Sequence, residues 1–178
     1  MRYLNVTILF ILTACNQSGK DYYEAGIEKL RKADHEDYYD WDYLRKARDN
    51  FEMAITKGCT NRELYEDLSI CYHFLGDKTN EERTYSLGLS HFPEDINFYF
   101  DRGNLYKELK KHKAAFLDYD KVVSLDTTSR FYKDALYYRG AMSFILGDKD
   151  AAELDRVKAQ KISTTELRNY ADYCRLWE

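Results

Sequence analysis

Proline is nearly absent from this chain: one residue in 178, Pro93, with only eight glycines beside it. So few breakers exclude a fold of many short turns and leave long helices with brief connections. A basic surplus is missing too, since 27 Lys and Arg stand against 31 Asp and Glu for a net charge of −4. Without it the chain cannot grip a phosphate backbone, which argues against nucleic acid as a partner. Beyond residue 15 no apolar run is long enough to cross a bilayer. Cysteine is sparse: after Cys15 come Cys59, Cys71 and Cys174, with neither a C-x-x-C nor a zinc-like spacing. They read as small buried hydrophobes, with a bridge between one pair left open. Catalytic patterns are lacking as well. His35, His73, His91 and His112 are scattered, and there is no H-E-x-x-H, serine elbow or glycine-rich phosphate loop. No catalysis, metal or cofactor is expected.

What the chain has in excess is tyrosine, 17 residues against nine Phe and two Trp. A tyrosine packs its ring inside and keeps its hydroxyl wet, which suits half-buried positions between helices. The N-terminus has a different character. Met1-Arg2-Tyr3 precedes an apolar run from Leu4 to Leu12, then Thr13-Ala14-Cys15. A basic start, a hydrophobic stretch too short to span and small residues before a cut site describe a secretory signal. Leu12-Thr13-Ala14-Cys15 also resembles the bacterial lipobox. That resemblance implies a signal peptide over 1–14, lipid attachment at Cys15 and a place in the bacterial cell envelope. In lipoproteins, Asn rather than Asp after the cysteine further implies the outer membrane. Acyl chains contribute about 0.8 kcal/mol per buried CH₂, so two or three anchor a protein firmly. Residues 15–19 then read as a short flexible tether.

The body is written in repeats. Tyr65, Tyr72, Tyr85 and Pro93 are answered by Tyr99, Tyr106, Tyr119 and Thr127, each 34 residues later. That period is the signature of stacked helix–turn–helix units. One unit covers 62–95, with Leu68, Ser69 and Tyr72 on its first helix, a Gly76-Asp77 turn and Tyr85 on its second. Glu81 stands there where alanine is expected. The next covers 96–129, with Arg102, Gly103 and Tyr106, then Ala115, Tyr119 and Val122. A further unit at 133–163 is offset, because Gly103 to Gly140 and Ala115 to Ala152 are both 37 residues. Ser143 and Arg156 replace its aromatics, which predicts looser packing. The first unit, 20–61, pairs a helix over about 20–33 with Ala47, Phe51 and Ala54, and nine extra residues fall at 34–42. Ser163 with Glu166 reads as a capping box. It opens a helix over 164–178 through Leu167, Tyr170, Ala171, Cys174 and Trp177, which covers the last open face.

These residues resemble the tetratricopeptide repeat pattern, W-x2-L-G-x2-Y…A-x3-F…P. The resemblance implies an all-α solenoid of about four helical hairpins and a C-terminal capping helix. It also implies a concave groove along the first helices that takes a protein or peptide. By this register the groove carries Tyr23, Ile27, Ile70, His73, Phe74, Asn97, Phe100, Asn104, Lys107, Tyr137 and Phe144. The carboxylate clamp of some members is not matched, since its places hold Tyr23, Ile27, Asp67, Asn97 and Asp101. The insertion Asp34–Tyr43, five carboxylates among four aromatics, lacks the central glycine of a calcium loop and reads as a solvated acidic loop. The expected function is a lipid-anchored envelope scaffold that binds another protein. The alternatives are a glycan- or peptidoglycan-binding part of an uptake system and an accessory factor in outer-membrane protein assembly or secretion.

Overall fold

The computed structural model describes residues 16–33 and 40–175. The signal segment, Cys15, residues 34–39 of the insertion, His35 and Trp177 lie outside them. The chain divides into two compact units, Met1–Phe92 and Pro93–Glu178. The described elements are all helical.

In the first unit, α1 (Gln17–Ala33) packs against α2 (Trp41–Thr56), and α3 (Arg62–Phe74) against α4 (Lys78–His91). The expected tether is not one. Asn16 accepts a hydrogen bond from Gly19 N at 2.7 Å, which caps α1, and its amide donates to Lys57 O at 2.7 Å. An asparagine placed to satisfy an orphan N–H starts the helix at residue 17, so residues 16–19 are fixed to the end of α2. The insertion is likewise shorter than expected, because Asp40 caps α2 by accepting from Asp42 N and Tyr43 N. Trp41 and Asp42 are helix.

Alanine and glycine mark the crossings, as close backbone approach requires. At Gly26 a Cβ would fall 2.4 Å from the Phe51 ring. Leu44, Ala47, Phe51, Ala54, Leu64 and Cys71 close this core with no exposure. The turn from α3 to α4 explains itself. Gly76 takes a φ of +73°, which costs glycine nothing, and Asp77 then caps α4 by accepting from Asn80 N at 3.1 Å.

The second unit runs α5 (Ile96–Glu108), α6 (His112–Leu125), α7 (Tyr132–Ile145), α8 (Lys149–Ile162) and the short α9 (Tyr170–Cys174). Gly147-Asp148 repeats the Gly-Asp turn, with φ +97° and a cap on Ala151 N. At Gly103 a Cβ would lie 2.9 Å from the Tyr119 ring. At Gly140 the intruder is Tyr170 of α9, whose hydroxyl lies 2.1 Å from where a Cβ would be. The aromatic absent from α8 is therefore supplied by α9.

The last helix begins later than the Ser163–Glu166 pattern predicts. Ser163 ends α8, its N–H donating to Ala159 O, and its hydroxyl donates to Thr165 O at 2.8 Å. A hydroxyl engaged in closing one helix cannot open the next. Asn169 does so instead, accepting from Asp172 N at 2.9 Å. Among the described residues no helix is long and apolar enough to cross a membrane.

Candidate functional site

The first helix of each hairpin carries the expected groove residues. In the first unit, Tyr23 of α1 donates its hydroxyl to Asp67 Oδ2 of α3 at 3.1 Å while its ring leans on Phe51. Burial pushes the Asp67 carboxyl up to about 6; the Tyr23 bond opposes that rise, and Glu66 and Glu63 add to it. Burial, followed by Asp67 itself, raises the Tyr23 hydroxyl in turn. Ile27 and Ile70 are 38% and 36% exposed. His73 faces elsewhere: its Nδ1 is 3.1 Å from Glu81 Oε1, and Phe74 packs edge-on against its ring.

Glu81 occupies the crossing position that Ala47, Ala115 and Ala152 hold in the other hairpins. It is only 3% exposed, and besides His73 it has Lys78 Nζ at 3.3 Å. A buried carboxylate needs such partners. His73 is thus a supporting residue for Glu81.

In the second unit two expected groove residues are core. Phe100 is buried and stacks on Phe131 at 4.6 Å. Tyr137 is buried too, and its hydroxyl donates to Arg168 O at 3.0 Å. Helical spacing put both on the outer stripe, but α9 and the stretched connection at 126–131 fold over that stripe. Asn104 is half-buried, its Oδ1 accepting from the Tyr119 hydroxyl at 2.8 Å. Lys107 places its ammonium 3.6 Å from the Tyr138 ring centre. Burial pushes that amine down to about 8, with nearby Asp134 opposing. Asn97 and Phe144 are half-buried.

Sequence reasoning missed two buried ion pairs. Arg102 forks onto Asp118, both contacts 2.8 Å, and lies between the rings of Tyr99 and Tyr106. Arg139 forks onto Asp155, both contacts 2.7 Å, and reaches Asp120 at 2.6 Å with its third nitrogen. The signal was present: Arg102 to Arg139 and Asp118 to Asp155 are both 37 residues, the offset of the glycines and alanines.

The remaining singled-out residues sit in structural places. His91 stacks on Tyr65 at 5.6 Å, and the buried Cys71 and Cys174 take part in no disulfide, so no bridge joins any two of Cys59, Cys71 and Cys174. Burial pushes the Cys71 thiol up to about 12, which disfavours the reactive thiolate. Among the described residues no group of three His, Cys, Asp or Glu side chains is placed to share a metal ion.

No protein-family model and no curated protein sequence matches the chain. Solved structures do. A tetratricopeptide repeat protein from Parabacteroides merdae ATCC 43184 aligns over 85% of this chain at 22% identity with a TM-score of 0.68. The chain spans 56% of that protein's length. YrrB, described as a tetratricopeptide protein with an unusual peptide-binding site, aligns over 89% of this chain and 75% of its own at 19% identity and a TM-score of 0.66. The first tetratricopeptide domain of Spaghetti, solved with an HSP90 peptide, aligns over 73% of this chain and 94% of its own at 18% identity and 0.57. Likeness at these identities shows the fold: an all-α solenoid of tetratricopeptide-type helical hairpins.

Proposed function

We propose that the chain is a non-catalytic scaffold of the bacterial envelope, held by lipid at Cys15 on the outer membrane, and that it binds a protein or peptide through its first helices. The observation that carries this reading is the pair Ile27 and Ile70, on α1 and α3, both exposed beside the Tyr23–Asp67 contact. Exposed isoleucines beside polar groups suit the apolar anchors of a partner segment. The peptide-binding descriptions of YrrB and the Spaghetti domain support the same kind of partner. The places of a carboxylate clamp hold Asp67 and Asp101, which repel a C-terminal carboxylate in this groove. Two groove rings open to the glycan alternative, Phe100 and Tyr137, are buried, while Trp41 of the acidic–aromatic insertion is exposed.

Photo-crosslinking in intact cells, from Ile27 and Ile70, tests the binding face. Discrete protein adducts from these positions, and none from exposed Lys121 on α6, are expected. Adducts equal at all three, or absent from both isoleucines, reject the face. Fractionation of Cys15→Ala tests the anchor separately: the variant should leave the membrane fraction, and persistent membrane association rejects lipidation.

A further inference from the structure

Arg139 shows what one position of this repeat can hold. It stands on α7 just before Gly140, forks onto Asp155 of its own hairpin and reaches Asp120 on the second helix of the preceding one. The same three positions exist in the first unit. Ser69, Gly103 and Gly140 share one register, so Leu68 stands where Arg139 does. Thr84 stands where Asp155 does, and Glu52, five residues past Ala47, stands where Asp120 does, five past Ala115. Leucine and threonine are shorter than arginine and aspartate, and neither is charged. Between α2, α3 and α4 they leave an open cleft of about 280 Å³.

The cleft keeps the carboxylate and lacks the guanidinium. Glu52 lines it, with Oε1 accepting the Tyr72 hydroxyl. Oε2 has no hydrogen-bond partner among the described residues. The neighbouring Arg48 is spent on Asp49, to which it gives two hydrogen bonds. Tyr72 stands where Tyr106 does, and the Tyr106 ring receives the Arg102 guanidinium at 5.6 Å. Ile55, Leu68 and Leu87 supply apolar wall. Arg83 lines the cleft too, exposed and with no ion pair or hydrogen bond among the described residues. A bare cation is repelled by Arg83, whereas a carboxylate on the same ligand pairs with it.

We propose that this cleft binds an arginine brought by a ligand, its guanidinium on Glu52 beside Tyr72 and a nearby carboxylate on Arg83. The stem lies along Leu68 and Leu87. Free arginine and a C-terminal arginine of a peptide share this chemistry. The cleft involves different helix faces from Ile27 and Ile70, so the inference does not rest on the scaffold reading.

The test is calorimetric titration of the whole chain with L-arginine and with acetyl-Gly-Gly-Arg as free acid. Controls are the peptide with citrulline, which keeps the shape and loses the charge, and its C-terminal amide. Saturable binding of either arginine ligand, weakened at least about tenfold by citrulline and by Glu52→Gln, is expected where one partner of a charged pair is removed. Tighter binding of the peptide assigns a polypeptide source; tighter binding of the amino acid assigns a small molecule. Glu52→Gln retains an acceptor for Tyr72 and leaves the exposed face of α2 otherwise unchanged, so it should fold. Leu68→Arg with Thr84→Asp fills the cleft from within and should abolish binding. No saturable heat with either arginine ligand, equal binding of citrulline, or unchanged binding in Glu52→Gln overturns the site. Equal binding of acid and amide overturns the role of Arg83.

Discussion

Tyr170 lies over Gly140 from a separate helix, in the place that Tyr119 takes over Gly103 from within its own hairpin. Its hydroxyl is buried and makes no hydrogen bond among the described residues, while its ring closes the second unit's core. Burial raises that hydroxyl, and Asp155 and Tyr137 add to the rise.

The first prediction separates ring from hydroxyl. Tyr170→Ala removes a ring that is 4% exposed and should cost about 3 kcal/mol, in the range for buried aromatics. Tyr170→Phe removes an unsatisfied polar atom and should leave the thermal midpoint unchanged or raised. Gly140→Ala should cost about 1–3 kcal/mol through overpacking, less when combined with Tyr170→Phe. Melts of the four variants decide it, and a melt of Tyr170→Ala like that of the parent would show α9 to be an appendage.

The small residues at crossings and the aromatics beside them were legible because both repeat at fixed distance along the chain. What was not legible came from residues distant in sequence. Nothing near Ser143 or Arg156 announces that Tyr170 replaces their missing rings, so looser packing was expected where α9 supplies a substitute. Phe100 and Tyr137 have the spacing of an outer stripe, and only the segments folded over them turn that stripe inward. Asn16 and Ser163 illustrate a third kind of miss. Each is a good capping residue, and which helix end uses it depends on which backbone groups are left unpaired.

The second prediction concerns the turn from α5 to α6. Lys110 N donates to Lys107 O and Lys111 N to Tyr106 O, the pattern that Gly76 and Asp77, and Gly147 and Asp148, make in their own hairpins. Yet Lys110 adopts a φ of +55°, and Lys111 provides no side-chain cap. A lysine in that conformation costs about 1–2 kcal/mol, so Lys110→Gly should stabilise the unit by part of that amount. Lys111→Asp should add about 1 kcal/mol as an N-cap, less whatever its contact with the Tyr106 ring contributes. Denaturant midpoints measure both, and a lower midpoint for Lys110→Gly would contradict the strain.

The third prediction uses Leu68 and Thr84 as the natural control for Arg139 and Asp155. Asp155→Ala leaves a largely buried guanidinium with only the half-exposed Asp120, and should cost about 3 kcal/mol. Replacing both at once, Arg139→Leu with Asp155→Thr, leaves no orphan charge and should cost clearly less than the single change. A double variant as unstable as the sum of its two single variants would mean that the pair is not coupled.

The last prediction follows from Asp67, whose carboxyl is raised to about 6 against an ordinary value of 3.8. The charges around it are Glu63 and Glu66 on its own helix, and the group packed on it from α1 is the uncharged Tyr23 hydroxyl. No cation among these offsets its burial. A carboxyl that holds its proton more tightly when folded than when unfolded favours the folded state at low pH. That contribution is full below about pH 4 and is lost as pH rises through about 6. The direction is opposite to the usual salt-bridged aspartate, which stabilises at neutral pH and weakens in acid. The contribution of Asp67 to the first unit's stability should therefore rise between pH 7 and pH 5. The comparison that isolates Asp67 is with Asp67→Asn, which keeps an acceptor for Tyr23 and cannot ionise. The variant should be the more stable protein at pH 7, and the gap should close toward pH 5. A gap that stays constant with pH would show that Asp67 does not titrate in this window.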